Sequence, residues 1–182
     1  MAAMLLPMCC SAQVQSPSHP EPDASIELPR EQIAAGYSFL NLKGTQFSNL
    51  PAGYLVDSNF FFGSHLGIQV ESGGHWGNNV SIGTVEAGPV IRTRYHRLTP
   101  FAHGNVGFAR VTAAGITNFG WGAAMGAGLD LRLTHRFELR LLDLDYVYNG
   151  VTFSASSPQV DQHGLRYSGG IVWNIGSIKP KP

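Results

Sequence analysis

The sequence predicts an all-β chain, an eight-stranded antiparallel up-and-down transmembrane β-barrel. Three observations carry that prediction. Apolar side chains recur at every second position over long stretches. The positions between them are small or ionic. No run of 18 apolar residues is present that could cross a membrane as a helix.

The clearest stretch is "FGWGAAMGAGLDLRL", Phe119–Leu133. Its odd positions are Phe119, Trp121, Ala123, Met125, Ala127, Leu129, Leu131 and Leu133, all apolar. Its even positions are Gly120, Gly122, Ala124, Gly126, Gly128, Asp130 and Arg132. A period of two is that of a strand, whose successive side chains point to opposite faces. A glycine-rich phosphate loop would be followed by a 3.6 period, and none follows. One bulky apolar face suits lipid, and one small, charged face suits a narrow interior.

The other strands follow in chain order. "IAAGYSFLN" from Ile33 supplies the first, over 32–41. "GYLVDSNFFF" and "LGIQVE" alternate over 53–62 and 66–72. In 81–95, Val85, Ala87, Pro89, Ile91 and Tyr95 oppose Thr84, Glu86, Gly88, Arg92 and Arg94. Pro89 costs this strand a ladder donor. The segment 99–112 alternates less cleanly, and 119–133 is the stretch above. In 137–148, Phe137, Leu139 and Leu141 precede a change of phase to Leu142, Leu144, Tyr146 and Tyr148. A β-bulge near Leu141–Leu142 keeps Asp143 and Asp145 out of lipid. The last strand, 164–175, sets Leu165, Tyr167, Ile171, Trp173 and Ile175 against Arg166, Ser168 and Asn174.

The connections alternate in predicted length. Those at 62–66, 95–99 and 133–137 are tight. Those at 42–52, 73–80, 113–118 and 149–163 are longer and rich in Gly, Asn, Ser and Thr. Short periplasmic turns and longer outer loops are the pattern of outer-membrane barrels, and an even strand count sets both termini with the short turns.

The segments outside the barrel read differently. Residues 1–12 end in Cys10-Ser11-Ala12 and look like a signal peptide, truncated at its start because no basic region precedes the apolar one. Lipoprotein cleavage at Cys9 or Cys10 is the weaker alternative. Both cysteines lie in this segment, so the chain after Ala12 has neither disulfides nor thiol chemistry. Residues 13–30 contain four prolines and read as a periplasmic linker. Residues 31–176 form the barrel, and 177–182 are a tail. Charged residues are only 13% and the formal net charge is zero, which excludes an electrostatic footprint for nucleic acid.

The glycine-rich strand, the hairpin "GLDLRLTHRFELR" and the closing "SGGIVWNIG" together resemble the outer-membrane β-barrel domain family, the OmpA-like and OmpX-like eight-stranded barrels. The resemblance covers residues 31–176. It implies a location in the cell outer membrane, surrounding lipid and lipopolysaccharide, and insertion by the outer-membrane assembly machinery. Ile175 stands where many members carry a terminal aromatic, and seven residues follow it. The peptidoglycan-binding domain of larger members has no room in this sequence.

Glu86, Arg92, Arg94, Asp130, Arg132, Glu138, Arg140, Asp143, Asp145 and Arg166 all fall on the inferred inner face. Eight strands leave an interior just wide enough for side chains, so these charges are expected to pair as a structural plug. Histidines suggest no metal site. His65, His96 and His135 fall in short turns, His75 and His163 in or beside outer loops, and His19 in the linker. His103 faces inward beside Asn105 as a packed polar residue. No adjacent Ser–His pair lies on a lipid-facing strand. The expectation is a non-enzymatic structural or surface-interaction barrel with no cofactor and no catalytic residue, whose loop partner is undefined. The alternatives are a lipid-modifying outer-membrane enzyme and a soluble secreted ligand-binding barrel with its faces reversed.

Overall fold

The computed structural model describes residues 28–43, 49–77, 80–152 and 159–178. The expected signal peptide, most of the expected linker and the end of the expected tail lie outside them. The strands are β1 (Glu31–Lys43), β2 (Asn49–Leu50), β3 (Ala52–Phe61), β4 (Leu66–Gly77), β5 (Val80–Arg92), β6 (Leu98–Ala113), β7 (Ile116–Arg132), β8 (Phe137–Thr152) and β9 (Gln159–Ile175). β2 continues β3 across Pro51, with Leu40 opposite Leu50 and Tyr37 opposite Tyr54. The wall therefore has eight staves, each antiparallel to its neighbours.

Consecutive staves pair all the way round, and β1 pairs with β9 from Glu31↔Ile175 to Lys43↔His163. Closure removes the sheet edge, so backbone donors and acceptors of the wall are used within it. The ladder between β5 and β6 lapses only between Ala87↔Val106 and Val90↔His103, around Pro89, which has no N–H to give.

The faces are those of a lipid-embedded wall. Val85, Ile91, Val106, Phe108, Phe119, Met125, Leu144 and Ile171 are all exposed on the outside. Glu71, Glu86, Asp130, Glu138, Arg140, Asp143, Asp145 and Arg166 are buried inside. A soluble barrel with reversed faces is thereby overturned, because its solvent side would be aliphatic and aromatic.

The predicted bulge is present. Leu129 pairs with Leu142 but Asp130 with Arg140, so Leu141 is the extra residue. Leu141 and Leu142 are both exposed, and Asp143 and Asp145 are both buried. The less regular 99–112 segment also alternates strictly: Thr99, Phe101, His103, Asn105, Ala109 and Val111 face inward.

Two predicted outer loops are corrected. Residues 73–77 continue β4 and 116–118 begin β7, leaving two-residue connections at 78–79 and 114–115. At the second, Ala114 and Gly115 have φ of 50° and 80°. Two successive positive φ values mark a primed hairpin turn, whose twist matches the strands it joins. The glycines that suggested a loop at 73–77 are wall residues with cross-strand partners in β3 and β5. The other two loops are shorter than predicted, with strand at 42–43, 49–50, 52, 149–152 and 159–163. Residues 44–48 and 153–158 lie outside the described ones. The three turns at the opposite end, 62–65, 93–97 and 133–136, share that end with both described chain ends, where Leu28 bridges to Ile178.

Candidate functional site: the lumen and its charged tiers

Inward residues of the staves meet in layers, starting at the turn end. In the first tier, Arg94 Nη2 donates to Glu138 Oε1, and Asn174 Nδ2 donates to the same oxygen at 3.0 Å. Gln32 Nε2 donates to Asn174 Oδ1 at 2.9 Å. Arg92 donates to Gln32 Oε1 at 3.1 Å and to the Pro29 carbonyl at 2.5 Å, with its guanidinium 3.4 Å from the centroid of the Phe61 ring. Neutral acceptors and an aromatic face thus satisfy Arg92 without a carboxylate.

The second tier is built on Arg140. Its Nη1 lies 2.6 Å from Asp57 Oδ2 and 3.4 Å from Asp143 Oδ2, and its Nε lies 3.0 Å from Asp130 Oδ1. Its guanidinium carbon sits 4.5 Å from the Phe101 ring centroid. One fixed fork serves three carboxylates and stacks on an aromatic, a task suited to arginine rather than lysine.

The third tier is built on Arg166. Its Nη2 lies 2.6 Å from Glu71 Oε1 and its Nε donates to Asp145 Oδ2 at 2.8 Å. His103 Nε2 lies 2.8 Å from Asp145 Oδ1, and Asn105 Nδ2 donates to Gln69 Oε1 at 2.9 Å. Gly126 makes room for this tier: a Cβ there would stand 1.9 Å from Asp145 Oδ1. That contact answers why the glycine-rich strand is glycine-rich at this point.

Beyond it lie Ser38 and His75, bonded at 2.9 Å, and then an aliphatic layer toward the loop end. That layer comprises Leu40, Leu42, Leu50, Val80, Ile82, Val111, Ala124, Val147 and Val151. The lumen is therefore ionic over its turn-end half and apolar at its loop end.

Of the ten residues predicted for the lumen, Arg94, Asp130, Glu138, Arg140, Asp143, Asp145 and Arg166 come together in ion pairs. Three do not. Glu86 is buried but has no ion pair among the described residues. Arg92 takes neutral acceptors. Arg132 sits half-exposed at the turn-end mouth, beyond the tiers. Sequence reasoning passed over Asp57, Glu71 and Gln69, which lie at inward positions of strands it had placed. The alternation that assigned Glu86 inward would have found them. It also set His75 and His163 in or beside loops, whereas they belong to β4 and β9. His65, His96 and His135 are exposed in the turns, as expected.

Two constellations have the residue types of active chemistry. His103, Asp143 and Asp145 offer ligand atoms within 4.8 Å of one another. The arginines already bound to both carboxylates compete for any cation there, and His103 is taken up by Asp145. The Ser38–His75 pair is on the lumen side, both residues being buried. Among the described residues no carboxylate is bonded to the His75 ring, so nothing orients it as a base.

No protein-family model matches the sequence, and no curated protein matches it. Solved structures do match. Neisserial surface protein A superposes with a TM-score of 0.62 at 10% identity, over 80% of this chain and 97% of that one. The N-terminal β-barrel domain of Pseudomonas aeruginosa OprF superposes with a TM-score of 0.54 at 12% identity, over 81% and 100%. The chain has the fold of the eight-stranded outer-membrane β-barrels. The outer-membrane protein OprG of Pseudomonas aeruginosa shares it too, with a TM-score of 0.52 at 9% identity over 84% of this chain and 99% of that one. A closed barrel of this fold with an apolar outer wall belongs in the cell outer membrane.

Proposed function

We propose that this chain is a non-enzymatic outer-membrane barrel that contributes to the membrane's structure or to contacts at its surface. The observation that carries this reading is the filled lumen. Arg140 and Arg166 each tie carboxylates from different staves together, and the aliphatic layer closes the space toward the loops. A continuous water path has no room in such an interior. The wall would be surrounded by outer-membrane lipid and lipopolysaccharide, and the outer-membrane assembly machinery would insert it. With both described chain ends at the periplasmic end, the hairpin at 114–115 and the opposite ends of β1, β4, β5, β8 and β9 face outward and carry any external contact.

Planar-bilayer recording tests the closed lumen. The expected result is the absence of sustained, large single-channel currents from protein whose folded form shifts on a detergent gel after boiling. Steady, large currents from the same sample would overturn the reading. The enzymatic alternative is tested by incubating the folded barrel with lipopolysaccharide and following acyl-chain release or transfer by mass spectrometry. No change in acylation is expected.

A further inference from the structure

At the turn end the lumen widens into a cavity of about 300 Å³ whose walls include Arg94, Arg132, His135, Arg136, Asn174 and Ser177. Three arginines and a histidine thus border one space. The adjacent carboxylate, Glu138, is already committed: Arg94 and Asn174 occupy its Oε1, and Gln32 approaches its Oε2 at 3.4 Å. Among the described residues, neither Arg132 nor Arg136 has an ion-pair partner. The cavity therefore carries a surplus of positive charge that the described residues do not offset.

The frame holding these groups is fixed. Arg132 N donates to the Arg97 carbonyl at 2.8 Å, and Asn174 N to the Arg136 carbonyl at 2.8 Å. Thr134 Oγ1 accepts from the backbone N–H groups of Arg136 at 3.3 Å and Phe137 at 3.0 Å, which closes the turn. Arg94 is tethered through Nε to Thr99 Oγ1 at 3.1 Å. A solvated basic face would leave its arginines spread apart. Here they border one concave space of small-molecule size, lined also by Asn174 and Ser177.

We propose that this mouth is a binding site for a phosphate group carried by a small ester or a lipid headgroup. Planar guanidinium forks match the oxygens of phosphate in paired hydrogen bonds. Three arginines against one carboxylate leave two net charges. A phosphomonoester, with about −1.5 to −2 charge near neutral pH, offsets them more fully than one carboxylate does. The site shares Arg94 and Asn174 with the first tier, but Arg132 and Arg136 belong to no tier and can be changed without opening the Arg140 or Arg166 networks.

The test uses the full chain folded in a phosphate-free detergent at low ionic strength. Glycerol 3-phosphate is titrated and followed by calorimetry and by 31P line broadening. A parallel arm compares barrels in phosphatidylcholine nanodiscs with and without phosphatidylglycerol, read by 31P shifts and by retention of the anionic lipid. The expected result is binding of either the free ester or the headgroup, weakened at least about tenfold in Arg132→Gln/Arg136→Gln, the scale of losing a hydrogen bond to a charged partner. The variant should keep the parent's gel shift on boiling. Binding of the free ester identifies a soluble ligand, and binding only in the nanodisc arm identifies a headgroup. Three results would each overturn the site: no binding in either arm, equal binding by parent and variant, or succinate binding as tightly as the phosphate ester.

Discussion

Arg140 Nη1 lies 2.6 Å from Asp57 Oδ2, joining β8 to β3 across the lumen between residues 83 apart in sequence. These strands are not neighbours in the wall; β9 and β1 stand between them. The contact therefore exists only when the barrel has closed. The same guanidinium reaches Asp130 in β7, so three staves share one cation. In a fold whose outer surface gains nothing from lipid contact by jigsaw fit, such cross-lumen ties fix which closed form is reached.

Removing that cation should be costly. Arg140→Met leaves Asp57, Asp130 and Asp143 buried without their common partner. A buried charge deprived of its partner destabilises by about 3–5 kcal/mol. Arg140→Lys should fall between parent and Arg140→Met, since one ammonium cannot copy the fork. Urea titration of refolding into lipid vesicles checks the order. Equal midpoints for parent and Arg140→Met would remove the second tier from any account of stability.

The wall was more legible in the sequence than the lumen was. Period-two alternation shows in one strand at a time, so Met125 outward and Gly126 inward could be read locally, as could the bulge at Leu141–Leu142. Phe101 inward and Arg110 outward blurred β6, because each reverses the expected polarity of its face. Pairing between distant staves depends on register, which no single strand encodes. That is why Asp57 and Glu71 were not joined to Arg140 and Arg166. The aliphatic layer was hidden for a related reason: Ile82 and Val111 are apolar on the inner face, where alternation alone predicts polar or small residues. At 113–118 the turn signal was weak, because Ala114 stands where Asn or Gly is the usual choice.

That turn gives the next prediction. Ala114 has φ of 50° and carries a Cβ into the left-handed region. The conformation costs most residues about 1–2 kcal/mol, and Asn less. Ala114→Asn creates the Asn-Gly pair favoured in two-residue hairpins and should stabilise the barrel by up to about 1 kcal/mol. Gly115→Val, at φ of 80°, should destabilise it. Paired urea titrations of the two variants read the opposite signs.

The aliphatic layer can be tested within one strand. Ile82 is 2% exposed in the lumen and Val85 is 56% exposed on the wall. Ile82→Ala opens a cavity that its neighbours cannot fill, at about 2–5 kcal/mol. Val85→Ala removes a group that lipid replaces, so its effect should stay under about 1 kcal/mol. If Val85→Ala proved the more harmful in vesicles, the lumen side would not be the packed side of β5.

The face assignment meets its strictest test at Met125 and Gly126. Met125 is 69% exposed on the wall, opposite Gly104 and Tyr146, near the middle of β7. Met125→Arg places a charge near the membrane midplane and should cost about 2–4 kcal/mol. Met125→Leu should cost little, because lipid adapts to either side chain. Gly126→Leu should be harmful for another reason. Even a Cβ at residue 126 would stand 1.9 Å from Asp145 Oδ1 and 2.5 Å from the Leu144 carbonyl. Asp145 cannot retreat freely, since it is bonded to His103 and Arg166. Overfilling of that kind costs about 1–3 kcal/mol or more before any loss of the ion pair is counted. Refolding of all three variants into vesicles, read by the gel shift on boiling, ranks them. A Gly126→Leu chain that folds like its parent, beside a Met125→Leu chain that does not, would invert the wall and take the membrane reading with it.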